Sequence, residues 1–347
     1  MLLLLPILLY FVFILWIAYH WLSHPEYLPK TAPCDIRVSV IIPFRNEKEN
    51  LPQLIQCLKA QSYKSDKLEY LFVNDHSDDG GEDLLRDFTL LQSSGKGKKA
   101  ALNTALAKAQ GELIITLDAD CIVGEEWLKT LLSFYAENGA DLVICPITLA
   151  PLQNTWDKLQ ALEFQSLTAS TAGAALGQHA IMCNGANLLF KRSLVDFNRD
   201  VFKTQYVSGD DMFLLEHAKS IKASIAYLKN RQAMAYTAPV NWQHFWRQRL
   251  RWSSKSGAYS DVAIIVSAFV VLMVNVSLLI LPFFSPFYLL IAFALKMLVD
   301  FLLLNSSSSF FRTSEHLWLY FLLLPIYPIY IVFTAFAGIA AFFTQKA

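Results

Sequence analysis

At 347 residues the chain is long enough for one large domain or two smaller ones, and its formal net charge of zero gives no global basic signal for nucleic acid. The 54% apolar fraction is unevenly spread: nearly all charge falls between about residues 23 and 260, with strongly apolar stretches on either side. The five cysteines (Cys34, Cys57, Cys121, Cys145 and Cys183) form no Cys-x-x-Cys pair and no zinc spacing, which leaves reduced, mostly buried thiols as the reading.

In chain order, Leu2 to Leu22 contains no Lys, Arg, Asp or Glu, and about 20 apolar residues suffice to span a bilayer as a helix. The stretch lacks the basic start of a secretion signal and outruns its usual apolar core, so a membrane anchor over 1–22 is expected. Lys30, Arg37 and a Lys/Arg-rich central region follow, which by the positive-inside rule sets the N-terminus outside and the central domain in the cytoplasm. Val38–Pro43 reads as a strand stopped by its proline, and Asn50 caps a helix to about Gln61 with Pro52 in its first turn. Glu69–Val73 reads as a second strand, breaking into the turn-rich Asn74–Gly81. A short helix and the apolar residues 88–91 lead to Gly95-Lys96-Gly97-Lys98-Lys99 and a helix from about Ala100 to Ala109. Leu113–Leu117 is an apolar run of strand length, followed by a helix from about Glu125 to Glu137 and a strand near Leu142–Cys145. Strands alternating with helices predict an α/β domain with a mostly parallel sheet covered on both faces.

Beyond it, Pro239–Tyr259 mixes Trp242, Phe245, Trp246 and Trp252 with Arg247, Arg249 and Arg251, a composition that suits a helix at the lipid headgroups or an amphipathic helix packed on the domain. Asn154–Ala175, with few charges, is a second interfacial candidate. Three further apolar stretches, at about 262–283, 286–304 and 317–343, predict transmembrane helices. Ser285-Pro286 separates the first two as a tight hairpin, and Pro325 and Pro328 are placed to bend the last. Lys296 and Asp300 are four apart on one helix face, either an internal salt bridge or the lining of a lipid or polymer path.

Four polar clusters carry possible chemistry. The Leu113–Leu117 run ends in Asp118-Ala119-Asp120, whose carboxylates leave an extended segment on the same side. Two close carboxylates repel unless a cation joins them, and Mg²⁺ or Mn²⁺ favours one or two carboxylates plus substrate phosphates. A solvated turn is the plainer alternative. Asp75, at a strand end, is either a turn acceptor or a partner for a nucleotide base N–H. Lys98 follows Gly97 at a helix start, where free N–H groups favour an anion, although the spacing is not that of a Walker P-loop. Asp210-Asp211 precedes a helix-like segment, as a cap or as a general base whose neighbour tunes its pKa.

Together these segments resemble the inverting family 2 glycosyltransferases of GT-A fold, over about residues 37–252. Pro43-Phe44-Arg45-Asn46-Glu47 is similar to the family's opening Pro-x-x-Asn-Glu, and Val73-Asn74-Asp75-His76-Ser77 to its Val-Asp-Asp-Gly-Ser. Gly97-Lys98-Lys99-Ala100-Ala101-Leu102-Asn103 matches Gly-Lys-x-x-Ala-Leu-Asn, and Asp118-Ala119-Asp120 the Asp-x-Asp. Cys183-Asn184-Gly185-Ala186-Asn187 resembles the Gly-x-Asn segment, Gly209-Asp210-Asp211 the Thr-Glu-Asp or Gly-Asp-Asp triplet, and Gln248-Arg249-Leu250-Arg251-Trp252 the Gln-x-x-Arg-Trp of membrane-bound members. Departures are Asn74 and His76, where the family has Asp and Gly, and a segment between Asp75 and Lys98 too short for the family's full helix.

The resemblance implies a GT-A domain over 37–238, to which the composition adds an interfacial helix at 239–260 and about three C-terminal transmembrane helices over 262–343. It implies donor contacts from Pro43, Arg45, Asn46, Glu47, Asp75, Lys98 and Asp118, a divalent metal at Asp118 and Asp120, and acceptor contacts from Gly185, Asn187, Gln248 and Trp252. Asp211 is then the base, with Asp210 beside it and Arg251 charging the leaving diphosphate. The implied activity is transfer of a sugar from a nucleotide-sugar to a lipid-linked or cell-envelope glycan acceptor, by a multi-pass plasma-membrane protein in contact with lipid and not with nucleic acid. Processive polymer synthesis stays open, as does a non-catalytic membrane scaffold with a sugar-nucleotide-binding domain.

Overall fold

The computed structural model describes residues 4–344 apart from residues 197 and 207. Its contacts fall into two units, one of Pro25–Ala150 with Met182–Ala238, the other of the residues up to His24, Pro151–Ile181 and those from Pro239 on.

After the apolar helix α1 (Leu5–Ser23), the first unit opens with β1 (Val38–Phe44), α2 (Leu51–Lys59) and β2 (Leu68–Asn74). Every residue of β1 is buried, as its unbroken Val38-Ser39-Val40-Ile41-Ile42 run requires of a strand covered on both faces. The strand runs one residue past Pro43. It is paired with the next central strand only over Val38–Ile41, so the proline's missing N–H falls beyond that register. A five-residue 3₁₀ turn (Gly81–Leu85) and a four-residue edge strand β3 (Thr89–Gln92) occupy the short Asp75–Lys98 segment. Next come α3 (Lys98–Lys108), β4 (Leu113–Leu117), β5 (Cys121–Val123), α4 (Trp127–Asn138), β6 (Leu142–Ile144) and β7 (Ile147–Leu149). Helix α5 (Thr155–Leu176) belongs to the other unit. The chain then returns through β8 (Asn187–Lys191), α6 (Asp210–Ser220), β9 (Ile225–Tyr227) and β10 (Ala235–Thr237).

These strands form a seven-stranded sheet, β3-β2-β1-β4-β8-β6-β9, and a three-stranded one, β5-β10-β7. The large sheet is parallel except for β8, which runs against both neighbours. That reversal pairs Leu117 at the end of β4 with Asn187 at the start of β8. Residues just after β4 and just before β8 therefore emerge at one sheet edge, which is what assembles the polar clusters.

The second unit holds α1, α5, α7 (Trp242–Ser253), α8 (Val262–Ile280), α9 (Pro286–Phe311), α10 (Tyr320–Leu323) and α11 (Tyr327–Thr344). Helix α5 lies against α1 so closely that a Cβ at Gly173 would meet the Ile17 carbonyl oxygen at 2.4 Å. Helices α1, α8 and α9 are long and apolar enough to cross a membrane. The last apolar stretch is two pieces, Ser314–Leu323 and one starting at Tyr327, bent by 75° at the break that contains Pro325. Large apolar side chains face outward, among them Val12, Phe269, Leu290 and Phe333, each more than half exposed.

Lys296, Asp300 and Tyr10 form a buried polar node where α1 meets α9. Tyr10 donates to Asp300 Oδ1 (2.6 Å), and Lys296 donates to Asp300 Oδ2. The ammonium also lies 4.9 Å from the centre of the Tyr10 ring. The node has the form of an internal salt bridge.

Candidate active site

The site is built on loops held by their own backbone. Asp78 N–H donates to Asn46 Oδ1 (2.9 Å) and Asn46 N–H to Ser77 Oγ (3.0 Å), so the loops after β1 and β2 are latched together. Asn46 and His76 both adopt positive φ, a conformation non-glycine residues take rarely. Asp75 is buried, and both of its oxygens accept the Gly97 N–H (2.8 and 2.9 Å). Gly97 sits at φ +92°, and this turn starts α3 with Lys98 as its first residue.

From there the Lys98 ammonium reaches Asp118 Oδ1 at 2.5 Å and stands 3.7 Å from Asp210 Oδ2. Burial pulls its pKa down, but the charges of Asp118 and then Asp210 more than offset that and hold it above an ordinary lysine. Asp120 accepts from Thr237 Oγ1 on β10 (2.8 Å). Its pKa is raised, first by burial and then by the charge of Asp118. Glu47 is raised for the same kind of reason, by burial first and with smaller contributions from Asp120 and Asp118. Negative charge in this corner is incompletely compensated by the protein's own cations.

On the opposite rim, Gly209 at φ +91° turns the chain into α6, whose first residues are Asp210 and Asp211. Asp211 accepts from Met212 N–H (2.7 Å) and from Gly185 N–H (3.3 Å). A Cβ at Gly185 would stand 3.1 Å from Asp210 Oδ2 and 3.3 Å from Asp211 Cβ, so a side chain there would press directly on this carboxylate pair.

The structure thus gathers Lys98, Asp118, Asp120, Gly185, Asp210 and Asp211, with Asp75 behind them and Glu47 beside the paired aspartates. Pro43 is buried in β1 and Arg45 is exposed. One expected acceptor contact is corrected. Asn187 is 0% exposed; its Nδ2 donates to Pro146 O (2.7 Å) and Ala233 O (2.9 Å), and its Oδ1 accepts from Trp127 Nε1 (3.1 Å). An amide at 0% exposure with both N–H groups donated to backbone carbonyls braces the loop from inside the core and is out of a ligand's reach. Gln248, Arg251 and Trp252 lie on α7 in the other unit, Arg251 exposed and the other two half-buried.

Among the described residues no three His, Cys, Asp or Glu side chains are arranged to hold a metal ion. Asp118 and Asp120 nevertheless fit a hard divalent cation that draws its remaining ligands from phosphate and water. The charge of Asp118 bears directly on Asp120, a repulsion such an ion would relieve. Thr237 escaped the sequence reading because β10 is three residues long and carries no periodicity to find.

Residues 39–197 match the family model described as Glycosyl transferase family 2. The chain carries a family 2 glycosyltransferase domain. The glycosyltransferase AglE of Haloferax volcanii is 34% identical over 114 residues, covering 30% of this chain and 38% of that one. The poly(ribitol-phosphate) beta-N-acetylglucosaminyltransferase TarP of Staphylococcus aureus is 28% identical over 196 residues, 54% of this chain and 58% of its own. An undecaprenyl-phosphate 4-deoxy-4-formamido-L-arabinose transferase of Enterobacter sp. is 30% identical over 171 residues, 46% and 50%. The chain therefore spans roughly 38 to 58% of the length of these curated relatives. A mannosyltransferase structure from Pyrobaculum calidifontis, in complex with GDP-Man and Mn²⁺, aligns over 99% of this chain and 96% of its own at 18% identity and a TM-score of 0.61. At that identity the likeness is one of fold. The glycosyltransferase domain here is GT-A, a mostly parallel α/β sheet with flanking helices.

Proposed function

We propose that the protein is a membrane-embedded inverting glycosyltransferase that moves a sugar from a nucleotide-sugar to a lipid-linked or cell-envelope glycan acceptor. The observation that carries this reading is the convergence of Lys98, Asp118, Asp120, Gly185, Asp210 and Asp211 at one edge of the GT-A sheet. The names of the S. aureus and Enterobacter relatives support the acceptor class.

In this reaction Asp211 takes the proton of the acceptor hydroxyl as its oxygen attacks the anomeric carbon. The bond from that carbon to the diphosphate oxygen breaks on the opposite face, and the nucleoside diphosphate leaves with the electron pair. The Met212 and Gly185 N–H groups hold the Asp211 carboxylate in place at the rim. Lys98, between Asp118 at 2.5 Å and Asp210 at 3.7 Å, offers its charge to the departing phosphates. Asp118 and Asp120 would hold a divalent ion, which when bound would stabilise the charge on the leaving diphosphate. Asp75 and the latched loops of Pro43, Arg45, Asn46 and Glu47 border the nucleotide base. For Gln248, Arg251 and Trp252 the support is the motif itself.

Three helices apolar enough to cross a membrane, and a broken fourth segment, support a multi-pass protein. Their outward apolar side chains cost about 25 cal/mol per Å² in water and nothing in lipid. We assign the catalytic domain to the cytoplasm, because Lys and Arg follow the first span. The decisive experiment is transfer of radiolabelled sugar from a panel of nucleotide-sugars by isolated membranes, with and without Mn²⁺. Mn²⁺-dependent label in a lipid or glycan fraction is expected, and silence across the panel leaves the scaffold reading. Cysteine labelling in intact cells should protect residues 30–255; labelling near Lys219 from outside reverses the orientation.

A further inference from the structure

Three elements of the second unit converge on one buried ion pair that the motif reading does not use. Glu163 of α5 and Arg249 of α7 are 7% and 5% exposed. Arg249 Nε donates to Glu163 Oε1 (3.0 Å) and Nη2 donates to Oε2, a two-pronged pair. Tyr330 of α11 donates its hydroxyl to the same Oε1 (2.9 Å). The remaining prong, Nη1, donates to Gln248 Oε1 (2.8 Å). The guanidinium also lies over two rings, 4.3 Å from that of Trp252 and 4.6 Å from that of Phe245.

We propose that Glu163 is a positioning residue for the Gln-x-x-Arg-Trp motif: it fixes the plane of the Arg249 guanidinium, which in turn sets the Gln248 amide and the Trp252 indole. A buried ion pair is weak evidence for stability, since the desolvation of two charges offsets most of their attraction. Its two-pronged geometry does specify an orientation, which a lysine's single ammonium does not. The consequence for Gln248 is chemical. Its carbonyl end is taken by Arg249, so its amide N–H groups are the end offered to a ligand, and the partner it selects is an oxygen acceptor such as a sugar hydroxyl or a phosphate. Trp252 is stacked on a cation on one side, which leaves its other face as the apolar surface for a sugar ring or prenyl chain. This deepens the proposed function, because it takes Gln248 and Trp252 as acceptor contacts.

The test uses the full chain in lipid nanodiscs, labelled with 5-fluorotryptophan. Fluorine NMR resolves the eight tryptophans, and Trp252→Phe assigns the resonance of interest. In Arg249→Lys and in Glu163→Gln, the Trp252 resonance is expected to move while the others hold. Tyr330→Phe, which removes one hydrogen bond and is the mildest change to folding, moves it less. In parallel, transfer to undecaprenyl phosphate is measured. KM for that acceptor should rise about tenfold or more in Arg249→Lys and Trp252→Ala, with KM for the nucleotide-sugar unchanged. A Trp252 resonance indifferent to all three clamp variants, or all eight resonances drifting together, overturns the positioning role. If the resonance moves but Trp252→Ala transfers as well as wild type, the clamp stands and the acceptor role of the motif is overturned.

Discussion

Two ion clusters built from the same chemical groups stand in the two units of this protein, and they are not equivalent. In the glycosyltransferase domain, Lys98 and Asp118 are each about a third exposed, at 32% and 33%, and one ammonium faces several carboxylates. In the helical unit, Lys296 is 1% exposed and Asp300 14%, and the acid is completed by a tyrosine hydroxyl. In the Glu163–Arg249 pair both carboxylate oxygens and all three guanidinium nitrogens are hydrogen-bonded. The first cluster sets one ammonium against several carboxylates and is partly open to solvent, the arrangement suited to a cation and the phosphates it carries. The second type is closed and saturated, which fixes helices relative to one another. Identical side chains thus divide into chemistry and architecture by saturation, and exposure is the cheapest way to tell them apart.

The largest expected effect is on the open cluster. Asp211→Asn nearly preserves shape and removes the proton acceptor. Transfer should fall by roughly 10² to 10⁴ while donor affinity stays near wild type, and Asp210→Asn should cost less. Rates for both variants, measured beside donor titrations, check this; a reversed order shifts the base by one residue, and two active variants reduce the pair to a helix cap.

Next is the closed cluster. Lys296→Met leaves Asp300 buried without its cation and should cost about 3–5 kcal/mol, most of it recovered in a Lys296→Met, Asp300→Leu double variant. Thermal unfolding in detergent reads this. The comparison breaks if Lys98→Met destabilises the protein as much.

Asp120→Asn should weaken Mn²⁺-dependent nucleotide binding about tenfold or more by removing one of two carboxylates, with the unfolding temperature little changed. Calorimetric titration with Mn²⁺ present and absent decides it; equal affinities would falsify the metal assignment.

The smallest effect concerns a third, intermediate pair. Asp141 accepts from Lys191 (2.9 Å) and from Ser224, and these hold its pKa down to about 2 from 3.8, Lys191 first. A lowered folded-state pKa contributes stability above 3.8 that is lost as pH falls towards 2. Asp141→Asn should flatten the stability profile in that window and leave neutral-pH activity alone, as unfolding curves across acid pH will show.

Much of the nucleotide-binding half was legible because its strands are continuous apolar runs and its chemistry lies in the loops that end them. Val38–Ile42 and Leu113–Leu117 each read as buried strands, and the Asp-x-Asp sits where such a strand must stop. The reversed strand β8 was not legible, since nothing in Asn187–Lys191 records its direction. The three-residue strands β5, β7 and β10 are below the length at which alternation registers. Asn187 was misread because a motif match carries no information on burial. Glu163 was missed because its partners are 86 and 167 residues away, and pairing at that range leaves no trace in spacing.

The discontinuity of the two units has a practical consequence. The chain passes between them after His24, Ala150, Ile181 and Ala238, so no single cut separates the catalytic half from the helical half. A fragment trimmed to residues 25–238 would still carry α5, whose Ala161, Leu162, Phe164, Ala169 and Ala172 are covered in the whole protein. Bared of α1 and α9, that helix would present a continuous apolar face to water, and such a fragment would precipitate or self-associate. Separating the two units calls instead for excision of residues 151–181 as well as both ends, an internal deletion rather than a truncation.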